Sequence, residues 1–404
     1  MADERTQKAA LEGLTVLDLT QFLSGPFCTM NLGDLGAEVV KIERPDRPVG
    51  SGPFLNGERV YDLSLNRSKK GITLNLKNPK EKEIFLRLAE QADILIENFK
   101  PGAMDKMGLG YEDVRRRNPR IIYASISGFG HTGPYRAKGA MDMVIQGMSG
   151  IMSLTGSPDG RPMKAGFSVS DLLGGFYALV GILAALHHRD RTGEGQHIDI
   201  AMLDASFACV ENAVANYYAT GKVPTRVGNR HQVTVPFQPY RTRDGEIIIT
   251  APRNDSYAAM CRALGREELI GDPRFRSPED RRQHVDELEN EITRTTIEMT
   301  MAEVDEKLSA AGVPTGRINT IAQIAADPQI REREMVITLD HPVAGLYKTA
   351  GSPLKMSETP ARPVRPAPVL GEHTREIFRE KLGMSSGEID EILEEQQKLL
   401  RRAE

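Results

Sequence analysis

Short apolar runs alternate with longer polar stretches through the first third of the chain. LTVLDL (Leu14–Leu19), AEVVKIE (Ala37–Glu43), DILIENF (Asp93–Phe99) and RIIYASISGFG (Arg120–Gly130) each predict a strand. Between them, SGPFCTMNLGDLG (Ser24–Gly36) predicts a helix with Pro26 near its start and Gly36 at its end. NPKEKEIFLRLAEQ (Asn78–Gln91) predicts another, with Asn78 as cap and Pro79 in the first position. This alternation predicts an α/β fold with a parallel sheet covered by helices. Ligands of such folds bind at the carboxyl ends of the strands. Here those ends carry DLTQFLSGP, KIERP, IENFKPG and SISGFGHTGP, rich in Gly, Pro and polar residues.

Farther on, the apolar run Leu172–Leu186 predicts a core helix with Ser170 or Asp171 near its cap and HHRDR at its end. The run is too short and too rich in glycine to cross a bilayer, which takes about 20 residues. A strand (GQHIDIAML) and a helix (DASFACVENAVANYYATG) follow, then a turn-rich stretch from Gly221 to Pro239. YRTRDGEIIITA predicts a hairpin turning at Asp244-Gly245. Charged helical segments run to about Asp327, so 226–330 reads as a second, smaller domain. The Pro-rich 358–374 segment is extended, and two helices close the chain.

Composition removes several function classes. The length of 404 residues suits two or three domains, and 40 % apolar with 27 % charged residues is ordinary for a globular enzyme. A formal charge of -4 supplies no basic field for nucleic acid or for an anionic membrane surface. Cys28, Cys209 and Cys261 lie far apart, with neither metal-ligand spacing nor a disulfide framework. The polar start of the sequence is no secretory signal, and a cytoplasmic protein is expected. G-x-G-x-x-G after the first strand, the P-loop and G-x-S-x-G are all missing, which disfavours dinucleotide, nucleotide and α/β-hydrolase chemistry. His187 and His188 point in different directions on a helix and suit its C-terminal dipole better than a metal.

On its residues alone, Asp171 reads as a helix-capping aspartate. Its surroundings add more. The stretches 13–45, 92–114, 118–135, 166–186 (GFSVSDLLGGFYALVGILAAL), 191–205 and 369–377 resemble, in order, the signatures of the class III CoA-transferases, the CaiB/BaiF family. The resemblance implies a Rossmann-like large domain formed by both chain ends (10–204 and 361–404) and a smaller α+β central domain (226–330). Linkers at 205–225 and 331–360 and an interlocked homodimer complete that architecture. It also places Asp171 on the family's catalytic aspartate. A carboxylate can attack a thioester to give a mixed anhydride, and the freed thiolate can then leave CoA on the aspartate. Free N–H groups at the helix start are expected to support the oxyanion.

The resemblance further implies that CoA is met by Leu23 and Ser24, Arg44, Leu74, Asn75, Leu76 and Lys77, Asn98, Phe99 and Lys100, and Lys106. Asp142 matches an acidic position near the nucleophile, read either as a contact to the pantetheine arm or acyl group or as a plain helix start. The implied ligands are acyl-CoA and a small carboxylic acid as substrates, with no tightly bound cofactor. Arg230 and Arg253 hint at a dicarboxylate, or are surface arginines. Two rival readings remain: an α-methylacyl-CoA racemase or epimerase, and a non-catalytic CoA-binding subunit. Met141 stands where the racemases carry a histidine, and the intact Asp171 opposes a silent subunit. The glycine run that covers the nucleophile in formyl-CoA transferases is missing; Val227–Tyr240 fills that region.

Overall fold

A computed structural model describes residues 9–48 and 50–403. The chain divides into two compact units: one takes the chain up to Ile151 together with Ala165–Val214 and Pro328–Glu404, the other Met152–Lys164 and Ala215–Asp327.

The first unit is built on six strands: β1 (Thr15–Asp18), β2 (Glu38–Glu43), β3 (Lys69–Thr73), β4 (Ile94–Glu97), β5 (Ile122–Ser127) and β6 (His197–Ala201). Their order is β3-β2-β1-β4-β5-β6, and every pairing is parallel. The chain first builds outward from β1 through β2 to β3, then returns to the other side of β1 as β4. The β1/β4 border is therefore the switch point at which α/β sheets open a ligand crevice. The strands are apolar on both faces, as a sheet buried on both sides requires. Leu17, Val40, Ile72 and Leu95 face one core, Val16, Val39, Ile94 and Ile96 the other.

Four helices matter for the site. Helix α1 (Ser24–Asp34) follows β1, and α2 (Pro79–Gln91) starts as read, with the Asn78 side chain accepting the Lys80 N–H at 2.9 Å. Helix α3 (Asp142–Met148) precedes α4 (Val169–Thr192). At 24 residues α4 outruns its apolar core and is long and apolar enough to cross a membrane by length and composition. Its packing gives it another role: Ala178, Leu179, Ile182, Ala185 and Leu186 lie in the second core, against the sheet. Gly193 ends it in the left-handed conformation, with Arg189 and Arg191 in the last turn.

Strand β3 is absent from the sequence reading because Lys69 and Lys70 open it, yet Lys69 is fully buried. The span 205–225, expected as a linker, holds the helix expected from DASFACVENAVANYYATG in two pieces, up to Ala208 and from Glu211 to Thr220. The span 331–360 holds an antiparallel hairpin, Val336–His341 with Gly345–Ala350. Both belong to regular structure because apolar residues recur there at helical or strand spacing.

The second unit carries the expected hairpin, Phe237–Thr242 with Gly245–Thr250, plus the short strand Thr315–Arg317. Thr242 pairs with Gly245, so the turn residues are Arg243 and Asp244, one position earlier than predicted. The fully buried Arg281 ties this unit together. It donates to the carbonyls of Val235, Phe275 and Pro252 and to Asn254 Oδ1 at 3.0–3.3 Å, and its guanidinium stacks 4.5 Å from the Tyr257 ring.

Candidate active site

The loops leaving β1 and β4 flank the switch point, and Asn98 joins them. Its amide oxygen accepts the Gln21 N–H at 2.8 Å and its amide nitrogen donates to the Gln21 carbonyl at 2.7 Å. Below the β1 loop lies a buried ionic cluster. The Asp18 carboxylate accepts from the Thr20 N–H (2.8 Å) and hydroxyl (2.5 Å), the Thr29 hydroxyl (2.7 Å) and Lys69 Nζ (3.1 Å), with Lys41 Nζ at 3.7 Å. Burial alone would raise Asp18, but the two ammoniums and the hydroxyls hold it well below the usual carboxylate range. Burial draws Lys69 down to about 8 despite Asp18; one carboxylate shared by two lysines explains that asymmetry.

Helix α4 meets α1 through glycine. A Cβ at Gly175 would lie 2.3 Å from the Ser24 carbonyl oxygen, so only glycine permits this approach. Asp171, one turn before that contact, is thereby set beside the start of α1. It occupies the third position of α4, whose cap residue Ser168 makes no side-chain bond. Asp142 does the capping: its Oδ1 accepts the N–H groups of Ser170 (2.9 Å) and Asp171 (3.4 Å), and its Oδ2 accepts from Gln146 Nε2 (2.7 Å). The fully buried Gln146 in turn accepts the Ala165 N–H at 2.9 Å. Among the described residues, no hydrogen-bond or ion-pair partner reaches the Asp171 carboxylate. Burial, and then the charge of Asp142, push it up to about 6. Tyr61 is near enough that burial and then the Asp171 charge push its phenol up to about 12.

The structure corrects the expected oxyanion support. Val169 N–H donates to Phe167 O and Leu172 N–H to Ser168 O, and Asp142 takes the two between. All four N–H groups at the start of α4 are engaged. Asp142 itself, read either as a ligand contact or as a plain helix start, has both carboxylate oxygens bonded within the protein, so capping is its visible role.

The remaining positions sit at the carboxyl edge of the sheet. Leu23 is half-buried and Ser24 is buried. Leu74 lies in the core and Leu76 and Phe99 pack against it, which leaves their backbone rather than their side chains for a ligand. Asn75 donates its N–H to Glu81 and accepts the Lys77 N–H. Glu97 accepts the Phe99 N–H at 2.8 Å, and burial pushes its carboxyl up to about 7. Arg44 is held by Asp46 at 2.6 Å. Lys77, Lys100 and Lys106 are exposed, without an acidic partner among the described residues. In the second unit, Arg230 is paired with Glu289 and Asp286, and Arg253 with Asp255, so neither offers a free cation for a dicarboxylate. Asp18, Lys41, Lys69, Tyr61 and Glu97 went unread in the sequence. For Asp18, Lys41, Lys69 and Glu97 the one signal is polarity inside an apolar strand or at its edge; Tyr61, in the short helix Val60–Leu65, carries none.

Comparison with known proteins fixes the family. The sequence profile of CoA-transferase family III matches residues 11–374. The chain belongs to that family. This CoA-transferase is 39 % identical over 387 residues to a succinyl-CoA:glutarate CoA-transferase of Mus musculus, covering 95 % of this chain and 89 % of that one. It is 40 % identical over 390 residues to a succinyl-CoA:mesaconate CoA-transferase of Haloarcula marismortui, with 94 % and 98 % covered. A CaiB/BaiF family protein from Brucella suis shares its fold at a TM-score of 0.84 and 38 % identity, over 93 % of this chain and 100 % of that one.

Proposed function

We propose that this CoA-transferase moves CoA from succinyl-CoA to a second small dicarboxylate through an aspartyl-CoA thioester on Asp171. The observation that carries the reading is the Asp171 carboxylate itself: half-buried, unpartnered among the described residues, and pushed up to about 6. Such a group is mostly ionised at neutral pH, yet more basic and less solvated than a free aspartate, which suits a nucleophile. Asp171 attacks the donor thioester, forming a mixed anhydride and expelling the CoA thiolate. The thiolate attacks the aspartyl carbonyl of the anhydride, giving aspartyl-CoA and releasing succinate. The acceptor carboxylate attacks aspartyl-CoA to form a second anhydride, and the returning thiolate attacks its acceptor carbonyl. Acceptor acyl-CoA leaves and Asp171 is regenerated. The unpaired Lys77, Lys100 and Lys106 suit the CoA phosphates. The dicarboxylates come from the relatives' names.

A homodimer belongs to the same proposal. Phe176, Tyr177, Val180 and Leu183 leave one side of α4 apolar and exposed, and Met143 and Val144 of α3 add to it. An apolar surface of that kind calls for a protein partner. The test is incubation with succinyl-CoA and glutarate or mesaconate, in deuterated water, with products separated as thioesters. The acceptor's CoA ester is expected, with Asp171→Ala slower by roughly a thousandfold or more. Deuterium entering the α-carbon of an acyl-CoA without exchange of acids would assign a racemase instead.

A further inference from the structure

Helix α3 grips the chain that leads into α4 with two side chains one turn apart, Asp142 and Gln146. Gln146 is fully buried, and its amide is spent on Asp142 and on that incoming chain. Its Nε2 donates to Asp142 Oδ2 at 2.7 Å and to the Phe167 carbonyl at 3.4 Å, and its Oε1 accepts the Ala165 N–H at 2.9 Å. A carboxylate and a carbonyl can only accept, so one orientation of the amide satisfies all three partners. Asp142 continues the grip at the N–H groups of Ser170 and Asp171. The buried Ser206 hydroxyl adds a bond to Ser170 Oγ at 2.9 Å. The run 165–171 is thus held at four backbone groups by one pair of side chains. A methionine would fill the place of Gln146 with no amide to satisfy. A buried amide with every partner in place is explained by the single conformation it specifies.

We propose that Gln146 is a positioning residue for CoA transfer: it locks the Asp142 carboxylate and the run 165–171 into one unit, and so fixes the place and the electrostatic surroundings of Asp171. Gln146 acts through Asp142. Its N–H stabilises the Asp142 charge, which is the charge that stands beside Asp171. Without that donor, Asp142 Oδ2 loses its partner, and the carboxylate is free to swing away from the Ser170 and Asp171 N–H groups. The inference rests on the proposed role of Asp171.

The experiment compares wild type, Gln146→Met, Gln146→Glu and Asp171→Ala in CoA transfer from succinyl-CoA to glutarate at pH 6, 7 and 8, with CoA binding measured by calorimetric titration. Gln146→Met should lose kcat by roughly a hundredfold at every pH, the scale of a reacting group misplaced by about 1 Å, and bind CoA as wild type does. Gln146→Glu can still accept the Ala165 N–H, but it donates to Asp142 only while it holds a proton. Two carboxyls in contact share one proton until the pH rises through their raised pKa. The activity of Gln146→Glu relative to wild type should therefore be highest at pH 6 and fall at least about tenfold by pH 8. A residue that merely supports the fold would give no such recovery. If Gln146→Met does not fold, the pH-dependent ratio of Gln146→Glu decides alone. A ratio that is flat with pH, wild-type kcat in Gln146→Met, or a loss of kcat matched by an equal loss of CoA affinity would overturn the inference. The first two of these beside an inactive Asp171→Ala would leave the proposed function standing. Full transfer by Asp171→Ala would sink that function and this inference with it.

Discussion

Replacing Asp171 by Asn should stabilise the protein while abolishing turnover. The native carboxyl titrates at about 6 against an ordinary value of 3.8. Folding therefore favours the protonated form, and the group's contribution is fully present below about pH 4 and lost as pH rises through 6. The full gap corresponds to about 3 kcal/mol. Asp171 is half-buried, so solvent screens part of it and about 1–3 kcal/mol is the usable range. Asparagine keeps the shape and carries no charge at any pH. Thermal melts at pH 4, 5, 6, 7 and 8 should show wild type and variant together at the acid end. The variant should gain several degrees by pH 7, at roughly 2–4 °C per kcal/mol. A difference that is flat across the series, or a variant less stable than wild type at pH 7, would refute the claim that burial and the Asp142 charge disfavour the ionised Asp171 carboxylate.

Asp142→Asn keeps an oxygen for the Ser170 and Asp171 N–H groups but removes the charge beside Asp171. The acid limb of kcat/KM should then move to lower pH without reaching that of a free aspartate, since burial is the larger cause; an unmoved limb would uncouple the two carboxylates. Arg281→Met leaves three carbonyls and Asn254 without their shared donor. It should destabilise the second unit by at least about 3 kcal/mol, read as early proteolysis within 215–327; wild-type resistance would contradict that role.

Local chemistry made much of the fold legible. Asn78-Pro79 marked the start of α2, the basic HHRDR stretch marked the last turns of α4, and the apolar runs marked the strands of the sheet except β3. What stayed hidden were contacts between distant residues. Lys69 looks like a surface lysine until β3 pairs with β2 and brings it under β1, 51 positions from Asp18. Asp142 looks like an ordinary helix start until α3 packs on α4 and its carboxylate meets the N–H groups of Ser170 and Asp171. Asp171 could be singled out only through the family signatures, because a helix-start aspartate has the same local pattern whether or not it reacts. Its raised pKa depends on burial, which the sequence does not display.

The most direct test of the central claim is intact-protein mass spectrometry after mixing with succinyl-CoA, followed by peptide mapping. The account predicts a CoA-sized adduct on wild type, located at Asp171 and discharged by added dicarboxylate, with none on Asp171→Asn. Transfer of CoA between acids without any adduct at Asp171, or with the variant still active, would contradict it.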